Sequence, residues 1–333
     1  MTTYAAYAKD DNLRAESSSG GIFSLLARRI LAVGGIVYGA AMSDDCYSAE
    51  IIGVEDEEGL SRLRGSKYLQ ARPGGNFKKI KKELLSGRQV LFTGTPCLIN
   101  GLKSFLQRDY DNLYCADIIC HGVPSPKLWK EYVKSIENEH GRVESVSFRC
   151  KGAPESADGL YIPKDEDAYM KMFLRDFCLR PSCYECPAKT IRKSDITIGD
   201  FWGIENIAPE MNDGRGTSLV IIRTDKGSRL FENIRSEIEY IETPYDESVS
   251  NNPSEHSSSK RPKQRDTFFA DLDKLSFEQM KDKYAGEDKE SIYRKCIRGA
   301  KAAIMGLAQG RRDESCSANE NSDYGLLFTF RKQ

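Results

Sequence analysis

VLFTGTPCLINGLKSFL, residues 90–106, and DIICHGVPSPKLW, residues 117–129, carry the same pattern. An apolar, strand-like run (Arg88–Thr93, Asn112–Ile119) breaks at a turn of glycine and proline and continues as a helix (Leu98–Leu106, Lys127–Glu139). Each unit also delivers a cysteine, Cys97 or Cys120, to the end of its strand, where sites on α/β sheets assemble. Working outward, helices are expected over Gly20–Val33, Asn76–Leu85 and Ala168–Phe177. Strands are expected over Ile36–Ala41, Ala49–Val54, Val143–Arg149, Asp195–Gly199 and Ser218–Arg223. Ser17, Ser18 and Ser19 are N-cap candidates for the first helix, and Gly34-Gly35 is its stop. The expected class is α/β, with mixed sheets and flanking helices. An irregular stretch is expected at Cys150–Gly159 and an extended polar one at Asn251–Arg265.

The 333 residues carry 49 basic and 50 acidic side chains, a net charge of −1, which supplies none of the field a general nucleic-acid binder uses. No stretch reads as an integral membrane segment, because Ile22–Met42 is interrupted by Arg28, Arg29 and several glycines. The first residues lack the pattern of a secretory signal, so a reducing, cytoplasmic setting is expected, in which cysteines serve as ligands, nucleophiles or buried apolar groups. Residues 291–312 are strongly basic. They read as a solvated helix packed on its own domain, with peripheral membrane contact or partner docking as the alternative.

Seven of the ten cysteines, Cys97, Cys115, Cys120, Cys150, Cys178, Cys183 and Cys186, fall between positions 97 and 186. Cys178, Cys183 and Cys186 are spaced x4 and x2, as where a ferredoxin loop wraps an iron-sulfur cluster. Pro181 and Pro187 keep that loop out of helix, leaving its amides free to turn inward. The spacing alone leaves iron-sulfur, structural zinc and no metal all open. His121 follows Cys120, but neighbours on a strand point to opposite faces, which disfavours a thiolate-imidazolium pair.

Three turns could cradle phosphate or a ring. Ser17–Gly21 opens a helix, Arg64–Tyr68 sets a cation beside an aromatic, and Gly199–Gly203 (GDFWG) follows a strand. Each also has a plain structural reading: a cap, a bend, and Trp202 as a packed core aromatic.

These residues closely resemble the family of coenzyme F420 hydrogenase/dehydrogenase beta subunits. The likeness runs in one order through AAYAKDD, SSSGGIFSLLA, GGIVYGAAM, LRGSKYLQA, VLFTGTPCLINGLKSFL, DIICHGVPSPKLW, LRPSCYECPAK, SDITIGDFWGI, GTSLVIIRT and NNPS, from Tyr4 to Ala285. It implies one flavin and iron-sulfur domain over residues 1–285, followed by a basic helical appendage and flexible tail over 286–333. It also implies a 4Fe-4S cluster beside a flavin, FAD rather than FMN. Carried onto this chain, the cluster ligands are Cys97, Cys120, Cys183 and Cys186, with Cys178 in reserve. The flavin site comprises Ser18, Ser19, Gly20, Gly21, Ser66, Lys67, Tyr68, Thr93, Gly94, Thr95, Pro96, His121, Gly199, Asp200, Phe201 and Trp202. The implied activity is electron relay between a ferredoxin-like donor and a small-molecule substrate.

The ferredoxin module that opens many bacterial relatives has no counterpart here, which points to a separate donor protein. The 149–169 region is shorter than in relatives, where a hairpin precedes the next helix. Bacterial members often accompany surface-polysaccharide genes, so a sugar-linked substrate is one expectation, and F420 is not taken from the family name. The rival expectation is a zinc-stabilised binding or scaffold protein without catalysis. Cys46, Cys296 and Cys316 are expected to be dispensable.

Overall fold

The computed structural model describes residues 1–151, 159–286 and 324–331. Its first six strands are β1 (Thr2–Ala8), β2 (Ile36–Met42), β3 (Ala49–Val54), β4 (Ala71–Arg72), β5 (Val90–Gly94) and β6 (Leu113–Ile118). The other six are β7 (Val143–Lys151), β8 (Gly159–Pro163), β9 (Ile196–Asp200), β10 (Ser218–Ile222), β11 (Ile238–Thr243) and β12 (Tyr324–Phe330). Nine of them form one mixed sheet in the order β11-β1-β10-β9-β6-β5-β2-β3-β4. The central four, β9, β6, β5 and β2, run parallel, while β3, β10, β1 and β11 pair antiparallel with their inner neighbours. The carboxyl ends of β5, β6 and β9 therefore reach the same edge of the sheet, which is where ligands bind in open α/β sheets.

The two strand-turn-helix units form as expected. The helix after β5 spans Pro96–Leu106, with Pro96 at its first position, so Cys97 lies in its first turn and not in the loop before it. The helix after β6 spans Pro126–His140. The helix expected over Gly20–Val33 spans Ile22–Ala32, and its N-cap is Gly21 at φ 84°. The serines do not cap it, because each hydroxyl is committed elsewhere. Ser17 donates to the Leu13 carbonyl (2.7 Å), Ser19 donates to the Thr217 carbonyl (3.0 Å), and Ser18 accepts from Ser66. Gly20 is a packing requirement, since a Cβ there would stand 2.5 Å from the Ala6 carbonyl oxygen.

Strands β1 and β11 have no clear sequence signature, since TTYAAYA offers small residues on both faces and no clear alternation. β12 is equally unannounced. It lies between β7 and β8 in a separate three-stranded sheet, so residues 324–330 are not tail. The region expected to be irregular is bounded by β7, which continues through Cys150 and Lys151, and by β8. Residues 152–158, the basic run 291–312, Cys296 and Cys316 lie outside the described residues. No described helix is long and apolar enough to cross a membrane.

Under the small sheet, Trp129, Phe148, Tyr169, Phe328 and Tyr132 pack with centroids 4.8 to 6.5 Å apart, forming the aromatic centre of a core cluster. The buried carboxylate of Asp167 caps the helix Ala168–Leu174 through Met170 N–H (2.6 Å) and accepts the Tyr132 hydroxyl. Burial raises its pKa to about 6, against the hydrogen bonds that favour the charge. An acid whose folded pKa is raised binds its proton more readily in the native state, so stability falls as pH rises from about 4 to about 6. The effect is of order 3 kcal/mol. Asp167→Asn keeps a capping oxygen and is expected to flatten that slope in urea-unfolding midpoints. An unchanged slope would assign it to other groups.

Candidate cofactor and substrate site at the carboxyl edge

Cys97 and Cys120 follow β5 and β6, while Cys183 and Cys186 occupy a loop of two short 3-10 turns, Pro181–Cys183 and Pro187–Lys189. Hydrogen bonds tie these segments together, from Lys189 Nζ to the Cys120 carbonyl (2.5 Å) and from Asn100 Nδ2 to the Ile191 carbonyl (2.6 Å). Burial pushes the Cys120 thiol up to about 12. The Lys189 ammonium opposes that rise, and Cys97, Cys183 and Cys186 add to it as neighbouring negative charges. Cys183 is also raised, chiefly by burial, with Cys97 and Cys186 again acting on it. Such a group resists ionising together unless a cation joins it, and coordinated metal is what makes clustered cysteines thiolates.

Among the described residues, no three His, Cys, Asp or Glu side chains converge closely enough to hold a single ion. A tetrahedral zinc would draw four sulfurs to about 2.3 Å from one point. In a cluster the same four thiolates sit on different irons and stand further apart. Four thiols from three segments are the donor set of an iron-sulfur cluster and of a structural zinc alike.

Local structure fixes the donors. Cys97, exposed at the surface, lies at the positive end of the helix Pro96–Leu106 with the Thr95 hydroxyl 3.3 Å from its sulfur. Lys189 Nζ donates to the Cys120 carbonyl (2.5 Å) and to the Ser254 carbonyl, so an ammonium stands beside the cysteines. Cys186 N–H donates to Ser258 Oγ (2.9 Å).

A buried ionic group braces the loop. Arg192 faces Asp117 on β6 (3.4 Å) and Glu255 (3.0 Å), and Glu255 also takes Arg223. Cys178 does not join the four. It is 0% exposed in the aromatic core cluster, and its carbonyl accepts from Ser125 N–H (2.8 Å). The next residue, Leu179, is also buried and forms an isolated antiparallel bridge with Pro124.

Two of the turns expected to bind flavin are stitched together. Ser66 N–H donates to Ser18 Oγ (2.9 Å), and the two hydroxyls are 3.2 Å apart. Arg64 Nε donates to Ser24 Oγ (3.1 Å), and the guanidinium pairs with Glu57 and Glu16. Gly21 leaves the first amides of the helix Ile22–Ala32 without a side-chain cap. Nearby, among the described residues, the Lys67 ammonium donates to the carbonyls of Arg62 (3.0 Å) and Arg64 (2.5 Å) alone, and burial pushes it down to about 7. Open helix-terminal amides, two hydroxyls and a cation that, among the described residues, faces no carboxylate are what a phosphate needs. The flavin part of the donor set fits as well.

The other expected flavin residues divide. Asp200 pairs with Arg149, and its carbonyl accepts from Asn252 Nδ2 (3.0 Å). Thr93 Oγ1 donates to the Tyr38 carbonyl (3.3 Å), and Gly94 ends β5. Gly199 lacks room for a Cβ, which would meet Ile119 Cδ1 at 2.7 Å. Pro96 is buried, and Phe201 is 2% exposed inside a core cluster with Ala5 and Ile204, so both support the turn and neither presents a face to a ligand. Trp202 is half-buried. His121 places Nε2 2.6 Å from Asp176 Oδ1, with its ring edge-on to Phe173 at 5.2 Å. A cavity of about 310 Å³ lies at the opposite end of the sheet, by Gln89 and Tyr114, away from these groups.

Known proteins carry related sequences. Residues 3–74 match the family described as coenzyme F420 hydrogenase/dehydrogenase, beta subunit N-term, and residues 87–248 match its C terminus. The chain belongs to that family. It is 26% identical over 252 residues, 71% of its length, to the coenzyme F420-dependent sulfite reductase of Methanocaldococcus jannaschii. It is 21% identical over 249 residues, 72% of its length, to an F(420)H(2) dehydrogenase subunit of Methanosarcina mazei. The chain spans 36% and 65% of those proteins. Its fold is similar to a chain of the F420-reducing NiFe hydrogenase complex from Methanosarcina barkeri, with a TM-score of 0.50, 19% identity and coverage of 72% and 81% of the two chains.

Against this F420 hydrogenase/dehydrogenase beta subunit background, two site residues have no signal in the sequence. Arg149 ends an expected strand with no sign of a partner, yet it pairs with Asp200 and stacks at 4.5 Å on the Tyr324 ring. Burial works against its charge, and Asp200, Tyr68 and Tyr324 together outweigh that. Tyr324 lies beyond both matched ranges, on β12, where burial and then Tyr68 raise its hydroxyl pKa. No local pattern connects residue 324 with residues 68, 149 and 200.

Proposed function

We propose that this chain is the iron-sulfur and flavin subunit of an oxidoreductase, relaying electrons between a ferredoxin-like partner and a small-molecule substrate. One observation carries the reading: Cys97 and Cys120 follow the parallel strands β5 and β6, and the loop bearing Cys183 and Cys186 is tied to both, by Lys189 Nζ on the Cys120 carbonyl (2.5 Å) and by Asn100 Nδ2 on the Ile191 carbonyl (2.6 Å). A 4Fe-4S cluster passes single electrons and a flavin accepts one or two, so together they join a one-electron carrier to a two-electron substrate.

The four cysteines would hold the cluster, and Lys189 would offset its negative charge. Ser18, Ser66, Lys67 and the first amides of the helix Ile22–Ala32 would hold the flavin phosphates. Tyr68, Arg149, Asp200 and Tyr324 would order the substrate side, with Arg149 held by Asp200 and by the tyrosine ring. Both curated relatives are named for F420, which makes the reduced form of that coenzyme the first donor to try and a sugar-linked intermediate the next.

Anaerobic purification with iron, acid-labile sulfide, zinc and released flavin measured on one sample tests the proposal. About four irons and one flavin per chain are expected. Zinc without flavin would replace this reading with the scaffold.

A further inference from the structure

The chain is neutral overall, yet its cysteine loop and the segment beside it are strongly basic. Residues 180–193 and 256–265 hold eight lysines and arginines and a single carboxylate, Glu185. The second segment runs along the first. Ser258 accepts from Cys186 N–H (2.9 Å), Ser259 donates to the His121 carbonyl (2.7 Å), and Arg265 Nη2 donates to the Leu179 carbonyl (3.0 Å). Lys260 and Lys263 lie between those anchors and are exposed.

On the loop itself, Arg180 is exposed and its carbonyl accepts from Cys183 N–H (2.9 Å). Lys193 donates its backbone N–H to Asn100 Oδ1 (3.1 Å), one turn beyond Cys97 on the same helix. Among the described residues, none of Arg180, Lys193, Lys260 and Lys263 forms an ion pair. On that helix and loop Cys97 is exposed and Ile191 is 58% exposed, with Asn100 Nδ2 donating to the Ile191 carbonyl (2.6 Å).

We infer that this cationic rim around a small apolar centre is the docking surface for an acidic one-electron carrier protein of ferredoxin type. The inference rests on the proposed cluster and says where its partner binds. Unpaired like charges at a rim cost solvation and self-repulsion without stabilising the fold, and they steer an opposite charge to the patch. The exposed Cys97 marks the side on which the proposed cluster comes nearest to solvent, and short transfer distance requires docking there. Small, polar-rimmed contacts suit partners that bind, exchange an electron and leave. The rim's cations flank a thiol and an aliphatic side chain, a centre suited to a compact protein more than to a phosphate backbone.

The test uses the full anaerobic chain and an acidic bacterial two-cluster ferredoxin, with affinity measured by calorimetry across a salt series and iron quantified in every sample. Affinity is expected to fall steadily with salt. Lys260→Glu/Lys263→Glu, at exposed positions, is expected to weaken binding about tenfold or more with iron content unchanged, and Lys193→Glu, on a different segment, should weaken it independently. Iron-loaded protein whose affinity survives both changes would overturn the inference, as would equal binding of basic cytochrome c. So would tighter binding of duplex DNA or of anionic vesicles. Iron-free protein would instead remove the proposed function, a result read from the metal analysis and not from the binding curve.

Discussion

Cys183→Ser is expected to purify folded and colourless, with its iron content falling toward zero, whereas Cys178→Ser is expected to keep its full iron and lose stability. Two cysteines five positions apart thus separate chemistry from packing. Cys183 is half-buried among three other thiols, and a serine hydroxyl there is a poor iron ligand. Cys178 is 0% exposed in an apolar core, where a hydroxyl without a compensating partner costs about 1–3 kcal/mol. Iron analysis with visible absorbance reads the first effect, and urea unfolding reads the second. Unchanged iron in Cys183→Ser would strike it from the ligands, and lost iron in Cys178→Ser would restore that residue to them. Cys46, buried with its sulfur 3.5 Å from the Glu144 carbonyl, should leave iron content unchanged when replaced by alanine.

Phe328→Ala is expected to destabilise the fold by about 3–5 kcal/mol. The ring is fully buried, stacked near Trp129 at 6.5 Å and edge-on to Tyr132 at 5.8 Å. A residue in a loose terminal segment would cost almost nothing to truncate, so the urea midpoint decides between core and tail. A loss under about 1 kcal/mol would return residues 324–330 to the status of appendage. Because the same strand carries Tyr324 against Arg149, a substantial loss would also tie the chain's stability to the order of the proposed substrate side.

What was legible in the sequence follows from range. The β5 and β6 units were readable because strand, turn and helix each announce themselves within about a dozen residues, and the cysteines fall at their junctions. The family likeness was legible for the same reason, as ordered local motifs. Spacing groups Cys178 with Cys183 and Cys186 because it counts residues along the chain, and it is silent about the core in which the Cys178 side chain is buried. The serine run misled, since its hydroxyls are spoken for by Leu13, Thr217 and Ser66. Arg149 with Asp200, and Tyr324 with Arg149, are contacts across 51 residues and more, beyond any pattern of period or propensity.

The place of β12 also sets a schedule for folding. Ser145 on β7 meets Thr329 on β12 across 184 residues, and nothing else lies between β7 and β8 in that sheet. At translation rates of roughly 5–20 residues per second, β7 and β8 would wait on the order of ten seconds or more for their shared neighbour. Until then each offers an unpaired edge, a template for the wrong partner. This lobe should therefore be the slow, long-range step of assembly and the part of the nascent chain most in need of a holding chaperone.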